Sequence, residues 1–319
     1  MIGLYISLGA LLFLFCLFLL FSYYAYRKTF FVSDEKKLRD PYKGIDKRGY
    51  KPYEATMRSL IDNIISLPYE RVEIISRDGL RLSARYYHVR DGAPLEIQCH
   101  GYRSTPLRDF AVSGVECFKR CYNLLLIDHR AHGKSEGNTI TFGIKERFDV
   151  LDWIDYAVER FGSDLKIILY GISMGAATVL MAAGEELPEN VKGIVADCPY
   201  SSPIDIIKKV GAEKGFPKFL IKPLMISGAR IFGRFSLTET SPKEAVSRAK
   251  VPILLIHGDA DTFVPSYMSD EIHAINPSII FKKFAGADHA VCYLSDPEGY
   301  LALADGFVDK VLLEDKNED

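Results

Sequence analysis

Five residues, Gly171-Ile172-Ser173-Met174-Gly175, constrain this chain more than any other stretch. An apolar run, residues 165–170, leads into them and reads as a buried parallel strand. A helix-forming run, residues 176–183, leads out. A serine between two glycines at a strand-to-helix turn is the nucleophile-elbow pattern. Such a turn strains the serine backbone, and small flanking residues let strand and helix pack closely and leave the hydroxyl exposed. The Met174 amide then stands at a helix N-terminus, where it can donate to a developing negative charge. The bare pattern arises by chance in about one chain in ten of this length. The flanking strand and helix make a chance match far rarer.

The 319 residues allow one large or two small domains. A composition 48% hydrophobic and 26% charged is globular, and a net charge of -2 shows no basic excess for nucleic acid. The six cysteines contain no Cys-x-x-Cys pair, and free thiols favour a reducing compartment. Cys117 and Cys121 have helical spacing with no matching pair of His or Cys nearby, so two core thiols are expected rather than half a metal site.

Residues 2–26 carry no charge. At about 1.5 Å per helical residue this run spans about 30 Å of hydrocarbon. Tyr23, Tyr24 and Tyr26 end it, as aromatics do at a membrane interface. No basic residue precedes it and no small-x-small site follows, so an uncleaved anchor over 1–26 is expected rather than a signal peptide. Arg27, Lys28, Lys36, Lys37 and Arg39 follow the span, which predicts a cytoplasmic catalytic domain. Residues 27–66 read as a linker and a helix, and 314–319 as a polar tail.

From residue 67 to 313 the pattern is α/β. Residues 72–75 and 80–86 flank a turn at Asp78-Gly79 and predict an antiparallel hairpin at a sheet edge. Strands are expected over 95–99, 124–128, 191–196, 251–256 and 279–284, with helices over 145–161 and 297–313. Continuous apolar strands alternating with helices imply a parallel sheet covered on both faces. Residues 200–250 break this rhythm with Pro, Gly and short helical pieces, too long for a loop. A small helical cap is expected there. Its Phe216, Phe219, Leu220, Leu224, Met225, Ile226 and Phe232 suit either a pocket wall or the cap's own core.

Several blocks together resemble the α/β-hydrolase family over residues 70–313: His100-Gly101-Tyr102, Asp128-His129-Arg130-Ala131-His132-Gly133, the elbow, Asp197-Cys198-Pro199, His257-Gly258-Asp259-Ala260-Asp261 and Gly286-Ala287-Asp288-His289. They look most like its membrane-anchored bacterial esterase and serine-aminopeptidase-like members. The resemblance implies an α/β-hydrolase fold with a mostly parallel eight-stranded sheet and a cap. It also implies a Ser-His-Asp triad in the order serine, acid, histidine.

A serine needs a base, and the base needs a carboxylate to hold its tautomer. Downstream of Ser173 the histidines are His257, His273 and His289. His257 ends a strand at the family's His-Gly position, and His273 falls within a helix. His289 follows the last strand in a small-residue loop and is the expected base. The family pattern places the acid at Asp261; Asp259 and Asp197 remain alternatives, and Asp288 is expected to be structural. By the same pattern the Tyr102 amide joins that of Met174 as the second oxyanion donor, with its ring free to line an acyl pocket or to pack. The 128–137 block is expected to be a structural turn, with no third ligand to make a metal site of His129 and His132.

The expected activity is hydrolysis of a small-molecule acyl substrate, an ester or thioester, through an acyl-enzyme. No metal or organic cofactor is implied. A peptidase or amidase and an acyltransferase use the same machinery, and a non-catalytic binding protein is a further alternative. The anchor makes lipid-derived substrates an expectation from placement.

Overall fold

The computed structural model describes residues 2–313, so the expected polar tail, with Met1, lies outside the described residues. Eight strands, β1 (Glu70–Ile75), β2 (Arg81–Tyr87), β3 (Leu95–Cys99), β4 (Asn123–Ile127), β5 (Ile167–Ile172), β6 (Val191–Asp197), β7 (Ile253–Gly258) and β8 (Ile280–Phe284), form one sheet among the described residues. Their order is β1-β2-β4-β3-β5-β6-β7-β8. The β1–β2 hairpin sits at one edge, β2 pairs antiparallel with β4, and every other pairing is parallel. Every residue of β3, β4 and β7 is buried, which is why Leu124–Ile127 and Ile253–Ile256 are unbroken apolar runs, while the buried Gln98 of β3 donates to Glu96 (2.8 Å). The opposite edge, β8, instead alternates in exposure.

The helices are α1 (Ile2–Thr29), α2 (Glu54–Ser66), α3 (Pro106–Asp109), α4 (Ala111–Lys119), α5 (Glu146–Phe161), α6 (Met174–Ala182), α7 (Pro203–Glu213), α8 (Lys218–Ile231), α9 (Pro242–Ala245), α10 (Tyr267–Ile275), α11 (Cys292–Ser295) and α12 (Pro297–Leu313). Trp153, Ile154 and Ala157 of α5 and Val179 and Leu180 of α6 pack on one face of the sheet. Ile61 and Ile64 of α2 and Phe307, Val308 and Val311 of α12 cover the other. A third cluster joins Tyr26, Phe30 and Val32 to Ile206 and Ile207 of α7, Ile221 and Ala229 of α8, and Met174 and Met181 of α6.

That cluster changes the reading of the N-terminus. α1 does not stop at Tyr26 but continues to Thr29, and the chain after it is tied down. Val32 donates to Asn138 O (2.8 Å), Ile140 donates to Phe30 O (2.8 Å), and the Tyr26 and Thr139 hydroxyls pair at 2.8 Å. α1 crosses α8 closely, because a Cβ at Gly228 would lie 2.7 Å from Ser22 O. α1 is long and apolar enough to cross a membrane, a property shared by membrane spans and signal sequences. Tyr26, expected at a membrane interface, is buried against the domain instead.

Cys121 corrects another expectation. α4 ends at Lys119, Cys121 turns with φ 58°, and its thiol is exposed, while Cys117 is buried. Helical spacing cannot reveal that a helix ends between the two residues.

The turn after β4 is held by buried ionic hydrogen bonds. Arg130 Nε donates to Asp149 Oδ2 (2.7 Å) on α5, and Nη1 donates to Asp78 Oδ2 (2.9 Å) in the β1–β2 turn. Arg130→Ala is expected to lower unfolding free energy by about 3–5 kcal/mol, because Asp149 keeps a buried carboxyl without its partner. Urea unfolding measures this, and a loss below about 1 kcal/mol would match a solvated surface pair instead.

Candidate active site

Ser173 has φ 56° and ψ −115°, a conformation rare for a residue with a side chain. It persists because the strand and helix around it approach too closely for anything larger than glycine. A Cβ on Gly171 would lie 2.4 Å from Gly175 O, and one on Gly175 would lie 1.7 Å from Cys99 O at the end of β3. The Ser173 amide donates to Asp197 O (2.8 Å), pinning the apex to β6.

Two loops bring the other groups to this apex. The loop after β7 carries Asp261 and the loop after β8 carries His289. They are joined by Asp259 N to Phe284 O (3.0 Å) and Ala260 N to Ala287 O (3.1 Å). His289 Nε2 lies 3.0 Å from Ser173 Oγ, and His289 Nδ1 lies 2.6 Å from Asp261 Oδ2. The structure thus brings Ser173, His289 and Asp261 into one hydrogen-bonded line. Asp261 Oδ1 also accepts the amides of Phe263 and Val264, both at 2.8 Å.

His257 sits behind Asp261 and braces it. Its Nε2 donates to Val264 O (2.8 Å) and lies 3.3 Å from Asp261 Oδ2. A carbonyl partner fixes the proton on Nε2, so Nδ1 accepts from the Ser269 hydroxyl at 2.6 Å. Burial would raise the Asp261 carboxyl; the facing His289 and the hydrogen bonds from His257 and His289 outweigh it and hold it well below the usual carboxylate range. With its folded value depressed, Asp261 stabilises the fold above its unfolded value near pH 4, and this stability is lost as pH falls through the folded value. Asp261 is therefore expected to add no ionisation to the acid limb of the pH–rate profile above about pH 4. A steeper limb fitted by two protons would mean that Asp261 titrates there too.

The other carboxylates are placed elsewhere. Asp259 is exposed and accepts the Gly286 amide (2.7 Å). Asp288 accepts the His289 amide (2.8 Å). Asp197 accepts from the Tyr300 hydroxyl (3.1 Å) rather than pairing with His289, and burial, partly offset by His257 and Tyr300, raises its carboxyl to about 6. His273 is half-buried with its ring against Phe281. The rings of His129 and His132 pack on His100 at 4.7 Å, and both nitrogens of His132 are committed to backbone, Nε2 to Arg103 N (3.1 Å) and Nδ1 to Arg130 O (3.0 Å). The Cys198 thiol lies within 4.8 Å of ligand atoms of Asp261 and His289, and burial pushes it well above its usual value.

Gly101, which precedes Tyr102, approaches the apex, since a Cβ on it would lie 3.4 Å from Ser173 Cβ, and the amides of Tyr102 and Met174 have no backbone acceptor among the described residues. Met174 is the first residue of α6, whose first amides have no partner within the helix. The Tyr102 loop is positioned by Asp109, which sequence reasoning missed. Asp109 Oδ2 accepts the Gly101 amide (2.8 Å), and Oδ1 accepts from Arg108 Nε (3.1 Å). No sequence spacing links Asp109 to the loop; only the fold does. The Tyr102 ring stacks on Phe142 (4.9 Å between centroids), and its hydroxyl donates to Thr29 O (2.7 Å) at the end of α1.

Ser173 opens into an apolar cavity of about 620 Å³. Of the residues 200–250 proposed as pocket or core, Phe216, Leu220, Leu224 and Met225 line it. Phe219 is exposed, and Phe232 packs against Tyr23 and Tyr26. α1 contributes Phe18, Phe21 and Ala25 to the wall, which the sequence did not suggest.

The family described as alpha/beta hydrolase fold matches residues 110–220. The uncharacterized protein YqkD of Bacillus subtilis is 25% identical over 230 residues, 70% of this chain and 75% of its own length. A thiohydrolase of Aspergillus aculeatus is 29% identical over 136 residues, 41% of this chain and 42% of its own. Among solved structures, an esterase of Pyrococcus furiosus superposes with a TM-score of 0.61 at 26% identity, covering 78% of this chain and 94% of the esterase.

Proposed function

Since this chain has the α/β-hydrolase fold, we propose that it is a serine hydrolase of carboxylic esters or thioesters. The observation that carries this reading is the line Ser173–His289–Asp261, with its two contacts of 3.0 and 2.6 Å. Ser173 Oγ attacks the acyl carbonyl carbon while its proton passes to His289 Nε2. The oxyanion is held by the Tyr102 and Met174 amides. Collapse breaks the bond to the leaving alcohol or thiol, which takes the proton from His289. Water then attacks the acyl-serine, giving its proton to His289, and the acid leaves as Ser173 regains it. Asp261 holds His289 in the tautomer that leaves Nε2 able to accept.

The apolar cavity suits a hydrophobic acyl group, and α7 and α8 act as the cap that selects it. Full-length protein is expected to release free acid from p-nitrophenyl esters and acyl thioesters. It should prefer octanoyl over acetyl by about tenfold or more, since each buried methylene is worth about 0.8 kcal/mol. A steep fall beyond the shortest esters would rule out a long-chain substrate, and acid release from amides alone would make the protein an amidase.

We further propose that α1 is a retained membrane span with the catalytic domain in the cytoplasm. Support comes from the docked end of α1 and the basic residues that follow it. Protease added outside intact spheroplasts is expected to leave the domain whole, and its digestion would reverse the topology.

A further inference from the structure

We infer that the acyl chain reaches Ser173 directly from the bilayer, between α1 and α8, and that the substrate is a membrane-resident amphiphile with a long acyl ester or thioester. This rests on the serine-hydrolase reading above.

Three observations converge on it. First, one cavity contains both Ser173 and a stretch of α1, namely Phe18, Phe21, Tyr24, Ala25 and Lys28. The helix that fits a membrane span is thus also a wall of the catalytic pocket. Second, that wall overlaps the end of the span. The apolar helix runs Leu4–Thr29, and about 20 residues of it fill the hydrocarbon core of about 30 Å. The cavity wall, from Phe18 to Lys28, therefore straddles the membrane boundary and is not held clear of it.

Third, the rim of the cavity is built for the same surface. Phe216, Phe219 and Leu220, at the start of α8, are exposed, with Phe219 at 77%. Phe216 and Leu220 also line the cavity, so its mouth is continuous with exposed apolar surface. Lys214, Lys218 and Lys222 are interleaved with them and exposed, and the exposed Lys28 of α1 also lines the cavity. Bulky apolar residues alternating with lysines beside a spanning helix match the boundary between acyl chains and anionic headgroups. In water this patch would leave several large side chains solvated without compensation. With the leaflet as its occupant, Phe219 enters the acyl region, the lysines meet phosphates, and a lipid chain can slide along α1 to Ser173 without crossing water.

The test uses full-length protein in nanodiscs of phosphatidylglycerol and phosphatidylcholine. Two fluorophosphonates, one ethyl and one hexadecyl, inactivate it, and the readout is the ratio of their inactivation rates. A ratio cancels general damage to the triad. Wild type is expected to favour hexadecyl by about 100-fold, a small part of what full burial of the extra methylenes would give. Ala25→Trp, which fills the cavity from α1, should lower the ratio about tenfold or more. Phe219→Glu, an exposed change that does not endanger the fold, should lower it by a similar factor in nanodiscs but not in detergent micelles. A wild-type ratio near one, or a ratio that Phe219→Glu leaves unchanged in nanodiscs, overturns the bilayer route. Unchanged selectivity in Ala25→Trp overturns the role of α1. Failure of the ethyl probe on wild type would instead sink the serine-hydrolase reading, because that probe needs only an activated serine.

Discussion

Ser173→Ala lowers kcat by about 10⁶-fold, His289→Ala does much the same, and the double variant loses little more than either alone. The reason is the single hydrogen-bonded line. His289 Nε2 faces Ser173 Oγ across 3.0 Å, so base and nucleophile act as one unit. Removing the hydroxyl leaves nothing to attack, and removing the imidazole leaves a hydroxyl that keeps its proton. The residual activity comes from the two amides and from binding. Steady-state turnover of one p-nitrophenyl ester by the three variants measures this. Additive losses in the double variant would mean that the two residues act independently.

Asp261→Asn has the second largest effect, a fall of about 10⁴-fold in kcat. Asparagine can still accept the Phe263 and Val264 amides through its carbonyl, so the loop keeps its shape. Its amide nitrogen then faces His289 Nδ1 and donates to it. The imidazole proton moves to Nε2, where it can no longer take the serine proton. Asp259→Asn is expected to change turnover only a few-fold, because its oxygen still accepts the Gly286 amide and touches neither His289 nor Ser173. Equal losses in the two variants would undo the assignment of the acid.

The contrast between these neighbours shows where the sequence was legible. The elbow could be read because its glycines answer a steric demand, the approach of α6 to Cys99, that any larger residue violates. The strands could be read because burial on both faces forces continuous apolar runs such as those within β4 and β7. His289 followed from its place after the last strand. Choosing Asp261 over Asp259 needed the family resemblance, since a two-residue offset in one loop carries no periodic signal. Asp109 and the end of α4 before Cys121 stayed hidden because the first depends on how a loop folds back onto Gly101 and the second on a single backbone turn, and neither has a periodic signal.

The largest omission was the second role of α1. A helix apolar on every side has no polar face to show which side packs on protein. Tyr23, Tyr24 and Tyr26 read as one interfacial group, yet Tyr26 is buried against the domain, Tyr23 packs edge-on to Phe232, and Tyr24 lines the cavity. Gly228, whose missing side chain admits α1, has no sequence signal that sets it apart from other glycines of the cap.

The most direct measurement of the central claim is fluorophosphonate labelling of the full-length protein read by intact mass, with Ser173→Ala alongside. One adduct on the wild type and none on the variant is the predicted result. An adduct that persists in Ser173→Ala, or a folded wild type that neither takes the label nor hydrolyses p-nitrophenyl acetate, would contradict it.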